Sequence, residues 1–233
     1  MNFISILLEK MERSSAGSEE TARRVLSLCG KISPERALFV GDDCFAPRLI
    51  SEQTGAKVTA AFTDRVYADR AAAQGLDSCV VQLFELPRTE GGFDLVWYNG
   101  VVEFDSIKSR LEQLKETVRR GGTAVFRTLC WLIDPSPDTA AYCSRRFGII
   151  EPLDMVLRDA KELGFKIQDF YIAPKTDWTE NYYKPLQSAA SEYQGQFSED
   201  GDVAAGMSEL KKETDMFELH CEEYSYVYYI MKG

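Results

Sequence analysis

The chain has 233 residues, 45% of them hydrophobic, which is enough to bury a full core as one α/β domain. Its formal net charge of −10 argues against nucleic acid and against an anionic membrane surface as partners. Six cysteines at 29, 44, 79, 130, 143 and 221 form no Cys-x-x-Cys pair, and His220 is the single histidine. That pattern excludes the usual zinc and redox-pair signatures and reads as free thiols in a reducing cytoplasm.

Taken in order, the N-terminus MNFISILLEKMERSS has no basic leader, and Glu9-Lys10 cuts its apolar stretch short. It reads as neither a signal peptide nor a membrane span, and a cytoplasmic protein is expected. Phe3, Ile6, Leu7 and Met11 share one side of a short amphipathic helix. Ser18 is placed to N-cap a second helix that runs to Leu28 or Cys29 and stops at Gly30. Ala37-Leu38-Phe39-Val40 is an apolar run fit for a buried strand, and Gly41 stops it. A helix follows from Pro47 through Gln53, Gly55 ends it, and Val58 to Phe62 is a second buried strand closing on Thr63-Asp64. Strand, glycine turn, helix, glycine and strand make a βαβ unit, the core of a nucleotide-binding sheet.

Further helices are expected at Arg65 to Gln74, Ile107 to Val118 and Pro152 to Leu163. Arg119-Arg120-Gly121-Gly122 reads as the basic last turn and glycine stop of the middle one. Strands are expected at Cys79 to Leu83, Phe93 to Trp97, Thr123 to Arg127, Phe165 to Ile172 and Tyr224 to Met231, with Tyr98-Asn99-Gly100 just past the second of these and looking out over the cleft. An aromatic helical insert around Tyr142 to Phe147 follows Pro135 and Pro137. Gln187 to Glu223 reads as helical, and residues 190–223 hold ten acids against two lysines, a solvated face.

This order of elements resembles the class I S-adenosylmethionine-dependent methyltransferases, and within them the small-molecule branch that includes the ubiquinone/menaquinone-type enzymes. The motifs that carry the resemblance are the Ala37–Asp64 unit, Phe93-Asp94-Leu95-Val96-Trp97, and Gly121-Gly122 before a strand. It covers nearly the whole chain as one domain, 1–233, with residues 1–30 as cap helices and 173–223 as a mainly helical insertion before the last strand. It implies a Rossmann-like seven-stranded, mostly parallel sheet flanked by helices, with the last strand antiparallel.

The resemblance places cofactor contacts at Gly41, Asp42, Asp43, Cys44, Phe62, Asp64, Phe84, Glu85, Tyr98 and Asn99. It departs from the family at three of these places. The loop keeps only the first glycine of Gly-x-Gly-x-Gly, and Phe45 sets a large ring where backbone would approach the cofactor. Phe62 stands where the ribose carboxylate is usual, with Asp64 two residues on. Glu85 is the candidate for the adenine amino group, with Phe84 beside it to pack on the ring. Asn99 replaces a glutamate and cannot serve as a base.

Trp131, Trp178, Tyr182 and Tyr183 are expected around the substrate, an aromatic set suited to an apolar or cationic acceptor. No residue stands out as catalytic and none as a metal ligand, because methyl transfer works mainly by alignment and exclusion of water. The implied function is methyl transfer from S-adenosylmethionine to a small molecule, with a homo-oligomer or a protein partner left open. The altered loop keeps a second reading beside it, a methyltransferase fold that has lost its cofactor and acts as a binding or regulatory partner. A nicotinamide-dependent oxidoreductase is disfavoured, since Gly-x-Gly-x-x-Gly is absent.

Overall fold

The computed structural model describes residues 3–8, 10–81, 87, 89–100, 106–196 and 201–233, with the backbone alone at 4, 5 and 196. The strands are β1 (Arg36–Gly41), β2 (Lys57–Phe62), β3 (Asp77–Val80), β4 (Phe93–Asn99), β5 (Val118–Trp131), β6 (Glu151–Pro152), β7 (Lys166–Ile172) and β8 (Tyr224–Lys232). They form one sheet in the order β3-β2-β1-β4-β5-β8-β7, with β6 paired to the end of β5. All pairs are parallel except those of β8, which runs antiparallel to β5 and to β7. The apolar run at Ala37 therefore sits mid-sheet between β2 and β4, as a strand covered on both faces must. The two-residue β6 is an eighth strand; a dipeptide carries no periodicity from which it could be read.

Alternation along β1 builds two cores. Ala37 and Phe39 point to one side with Phe62 and Trp97, and Leu38 and Val40 to the other with Val96, Tyr98 and Phe126. The first side is covered by α1 (Phe3–Leu8), α2 (Glu19–Leu28), α3 (Phe45–Thr54) and α4 (Arg65–Ala73). The second is covered by α5 (Ile107–Thr117) and α7 (Leu153–Glu162). Between and after these come α6 (Pro137–Phe147), α8 (Lys175–Trp178) running into a π-helical turn (Thr179–Tyr183), α9 (Lys184–Gln196) and α10 (Gly201–His220). Among the described residues no helix is long and apolar enough to cross a membrane.

Local chemistry sets the boundaries. Ser18 is extended and its side chain accepts from the Thr21 N–H at 3.0 Å, the cap expected for α2. Gly55 ends α3 in the left-handed conformation at φ 72°. The Arg119–Gly122 segment differs from expectation: α5 stops at Thr117, Val118 is already extended, and 119–122 belong to β5. They lie where the β4–β5 register shifts between Phe93 and Leu95, so the glycines serve a bulge rather than a helix stop.

The tertiary reason is Asp94. Its carboxylate accepts from the N–H groups of Glu35 and Arg36 at 2.9 and 2.8 Å and pairs with Arg119. Partial burial pulls its pKa up, but these donors and Arg119 outweigh that and hold it below the usual carboxylate range. A depressed folded pKa contributes stability above the unfolded pKa, and that stability is lost as pH falls through the folded value. Asp94→Asn is therefore expected to cost about 1–2 kcal/mol near neutral pH and to match wild type in strong acid. Chemical denaturation at a series of pH values checks this, and a difference independent of pH would refute it.

Candidate functional site

In an open parallel sheet ligands bind beyond the carboxyl ends of the strands where the strand order reverses. Here that point lies between β1 and β4. The two ends approach closely: a Cβ on Gly41 would lie 2.7 Å from Phe39 Cζ and 2.9 Å from Asn99 Cβ, so glycine is required.

The loop after β1 places two carboxylates in the interior, Asp42 at 4% and Asp43 at 1% exposure. Asp43 Oδ1 accepts the Ala46 N–H at 2.8 Å, and Oδ2 accepts Asn99 Nδ2 at 3.0 Å. Asn99 Oδ1 in turn accepts Trp97 Nε1 at 2.8 Å, which fixes the amide's orientation. Arg13 Nη2 lies 3.5 Å from Asp43 Oδ2, and its guanidinium sits 4.5 Å over the Phe45 ring. Burial pushes the Asp43 carboxyl up, against the opposing pull of Arg13.

Asp42 accepts from Ser14 Oγ at 3.2 Å and from Ser15 Oγ, and its Oδ1 is 3.4 Å from Arg127 Nη1. Arg127 is fully buried and donates to Ser15 Oγ at 2.7 Å and to the Ala16 carbonyl at 2.8 Å. Its guanidinium lies 3.7 Å from the Tyr226 ring centroid. Burial opposes its charge, but Tyr228, Asp42, Tyr226 and Asp43 more than offset this and hold its pKa above the ordinary value. Two buried cations thus balance two buried anions, and both pairs tie the segment 13–17 across the strand ends.

That segment is closely fitted. A Cβ on Gly17 would meet Arg13 Nη1 at 2.5 Å, and the Gly17 N–H donates to the Asp177 carbonyl at 3.3 Å. Among the described residues, Arg13 Nε and Nη1, Arg127 Nε and Asp177 Oδ2 are buried with no hydrogen-bond partner. A buried guanidinium with unused N–H groups is costly unless an anionic group takes them.

The other expected positions are placed as follows. Cys44 is buried, its Sγ 3.5 Å from the Tyr67 carbonyl, and burial pushes its thiol up to about 11, so it is no nucleophile. Phe62 is fully buried against Phe39 and Tyr67, at centroid distances of 5.9 and 6.5 Å, where a carboxylate would be stranded. Asp64 is exposed, and its Oδ1 accepts the Val66 N–H at 2.8 Å as the N-cap of α4. A ribose contact there would have only the second oxygen. Phe84 and Glu85 lie outside the described residues.

Tyr98, expected over the cleft, is buried on the α5/α7 side and stacked on Phe126 at 5.5 Å. The pleat explains this, since its neighbours Trp97 and Asn99 take the opposite face. Trp131 is half-buried, edge-on to Tyr224 at 6.0 Å. Trp178, Tyr182 and Tyr183 are buried in the core that also holds α9 and α10, not along an open wall. Trp178 is stacked between Phe217 at 4.5 Å and Tyr226 at 5.0 Å, and its Nε1 donates to Ser225 Oγ at 3.1 Å.

Arg13, Ser15, Asp177 and Arg127 are the residues that sequence reasoning missed. Arg127 did carry a signal, a cation at the end of an apolar strand, which rarely enters an interior without a partner.

Comparison of the fold with solved structures gives high similarity at low sequence identity. YjhP from E. coli superposes with a TM-score of 0.80 at 12% identity, covering 98% of each chain. A SAM-dependent methyltransferase from Geobacter sulfurreducens, solved with S-adenosyl-L-homocysteine, gives 0.79 at 14% over 99% of this chain and 98% of its own. One from Thiobacillus denitrificans, also with S-adenosyl-L-homocysteine, gives 0.79 at 13% with the same coverage. The fold is that of the class I S-adenosylmethionine-dependent methyltransferases. No family model and no curated protein sequence matches the chain.

The methyltransferase fold raises the question whether the residues at the switch point suit S-adenosylmethionine. At its amino-acid end they do. Asp42 and Asp43 are acceptors for an ammonium, and the unpartnered Arg13 nitrogens are donors for a carboxylate. At the ribose end the described residues offer the single exposed carboxylate of Asp64 in place of a buried one on β2.

Proposed function

We propose that the chain is an S-adenosylmethionine-dependent methyltransferase acting on a small molecule. The observation that carries this is Arg13, held against Asp43 at the β1/β4 switch point with two buried nitrogens that no described residue satisfies. Arg13 would bind the cofactor's carboxylate, while Asp42 and Asp43 would accept from its ammonium. Asn99 orients Asp43 and carries no charge, so it is a positioning group rather than a base. Once bound, the cofactor supplies an electrophilic methyl group on a sulfonium.

The chain's own task is to hold reactants in line and keep water out. The 13–17 segment, latched by Arg127 across the strand ends, is suited to the second part. The S-adenosyl-L-homocysteine bound in structures of the same fold supports the cofactor assignment. The acceptor is taken to be a small molecule because the net charge of −10 favours neither nucleic acid nor an anionic membrane.

Calorimetric titration with S-adenosylmethionine and S-adenosyl-L-homocysteine tests the reading. Wild type is expected to bind both, and Arg13→Leu to weaken binding about tenfold to a hundredfold, the worth of a charge-assisted hydrogen-bonded contact. Absence of binding to wild type would overturn the assignment, and unchanged affinity in Arg13→Leu would overturn the role given to Arg13.

A further inference from the structure

Asp177 is a buried acid that the network around Asp42 and Asp43 does not use. It is 1% exposed, and its Oδ2 finds no hydrogen-bond partner among the described residues. The two buried guanidinium groups are engaged with other carboxylates, Arg13 with Asp43 and Arg127 with Asp42. At this end of the sheet Asp42, Asp43 and Asp177 are therefore buried against Arg13 and Arg127 alone among the described residues, an excess of one acid.

Topology places Asp177 at the strand ends. β5 and β7 both run antiparallel to β8, so β7 is parallel to β5 and ends on the same side of the sheet as β1 and β4. α8, which carries Asp177, follows β7 directly. Its backbone is tied down there: the Ala173 N–H donates to the Tyr226 carbonyl at 2.8 Å, and the Gly17 N–H to the Asp177 carbonyl at 3.3 Å. Tyr228 lies in the same electrostatic field. Burial pushes its phenol up to about 12, Arg127 and Arg13 oppose this, and Asp177 and Asp43 add to it. Asp177 thus shares its surroundings with Arg13, the residue assigned to the cofactor's carboxylate, and approaches from the helical insertion.

A buried carboxylate oxygen with no donor costs stability, and departures of this kind concentrate at functional sites, where a ligand removes the cost. We propose that Asp177 determines acceptor specificity: its Oδ2 receives an N–H of the ammonium group of a small amine-bearing acceptor. This rests on the methyltransferase reading and gives it a substrate class. The contact is one of recognition; no bond forms and no proton moves.

The test is calorimetric titration of the full chain, with and without saturating S-adenosyl-L-homocysteine. The probes are paired by shape and differ in charge: ethanolamine with ethylene glycol, and benzylamine with benzyl alcohol. Wild type is expected to bind at least one amine, and the matching alcohol about tenfold more weakly or worse. Asp177→Asn keeps the shape and removes the charge. It is expected to weaken amine binding about tenfold or more and to leave affinity for S-adenosyl-L-homocysteine unchanged. Its thermal midpoint should be unchanged or raised, because the variant relieves the fold of an unpaired buried carboxylate.

Failure of both amines to bind wild type overturns the proposal, as does an alcohol that binds as tightly as its amine or an unchanged amine affinity in Asp177→Asn. A lowered midpoint together with weaker S-adenosyl-L-homocysteine binding would make Asp177 a structural support for Arg13 and overturn it too. If wild type fails to bind S-adenosyl-L-homocysteine, the cofactor assignment falls instead, and the amine titration without it still decides the role of Asp177.

Discussion

Replacing Arg127 by methionine is expected to cost about 3–5 kcal/mol of folding stability, because it strands the buried Asp42 carboxylate without its cation. The same change removes two donors from the 13–17 segment, those to Ser15 and to the Ala16 carbonyl. Amide exchange in that segment should therefore accelerate more than exchange in β1 or β4. Asp42→Asn combined with Arg127→Met removes both charges, and the pair is expected to recover at least half of the single-variant loss, since a buried ion pair is worth little net against a neutral replacement. Urea denaturation of wild type, both single variants and the double variant closes the cycle. If Arg127→Met costs less than about 1 kcal/mol, the network is not what holds the segment down.

Trp178→Ala is expected to cost about 3–5 kcal/mol, the range for removing a large ring from a packed core. The ring is 1% exposed and forms the middle of a column running Phe217, Trp178, Tyr226 and Arg127, with separations of 4.5, 5.0 and 3.7 Å. Trp178→Phe keeps most of the stacking and loses the hydrogen bond to Ser225, which still donates to the Ala173 carbonyl at 3.0 Å. That variant should cost about 1–2 kcal/mol. Thermal and urea unfolding give the magnitudes, and ligand titration of the folded fraction separates stability from binding. A Trp178→Ala protein with wild-type stability and impaired ligand binding would return this tryptophan to the pocket-lining role that its sequence neighbourhood suggests.

The two expectations concern residues that were legible to different degrees. Trp178, Tyr182 and Tyr183 stand out in the sequence as aromatics between polar neighbours, a pattern shared by a lid and by a helix packed on one side. What distinguishes the two is what lies opposite, and here it is Phe217 on α10 and Tyr226 on β8. Neither can be known from the local stretch. Tyr98 failed in a simpler way: the run Trp97-Tyr98-Asn99 does end at the cleft, but the pleat sends its middle residue to the other face.

The sequence by itself determined the order of the strands and helices apart from the two-residue β6, the mid-sheet place of Ala37–Gly41, the caps at Ser18 and Gly55 and hence the fold class. These follow from periodicity, from apolar runs and from side chains that bond their own backbone within a few residues, all of them local interactions. Only the tertiary structure decided how the acidic loop is neutralised and what covers it. Arg127 meets Ser15 across 112 positions and Asp42 across 85. A charge can be buried only where an opposite charge and hydrogen-bond partners converge on it, and that convergence is a property of the closed sheet and its covering segment, not of any stretch along the chain.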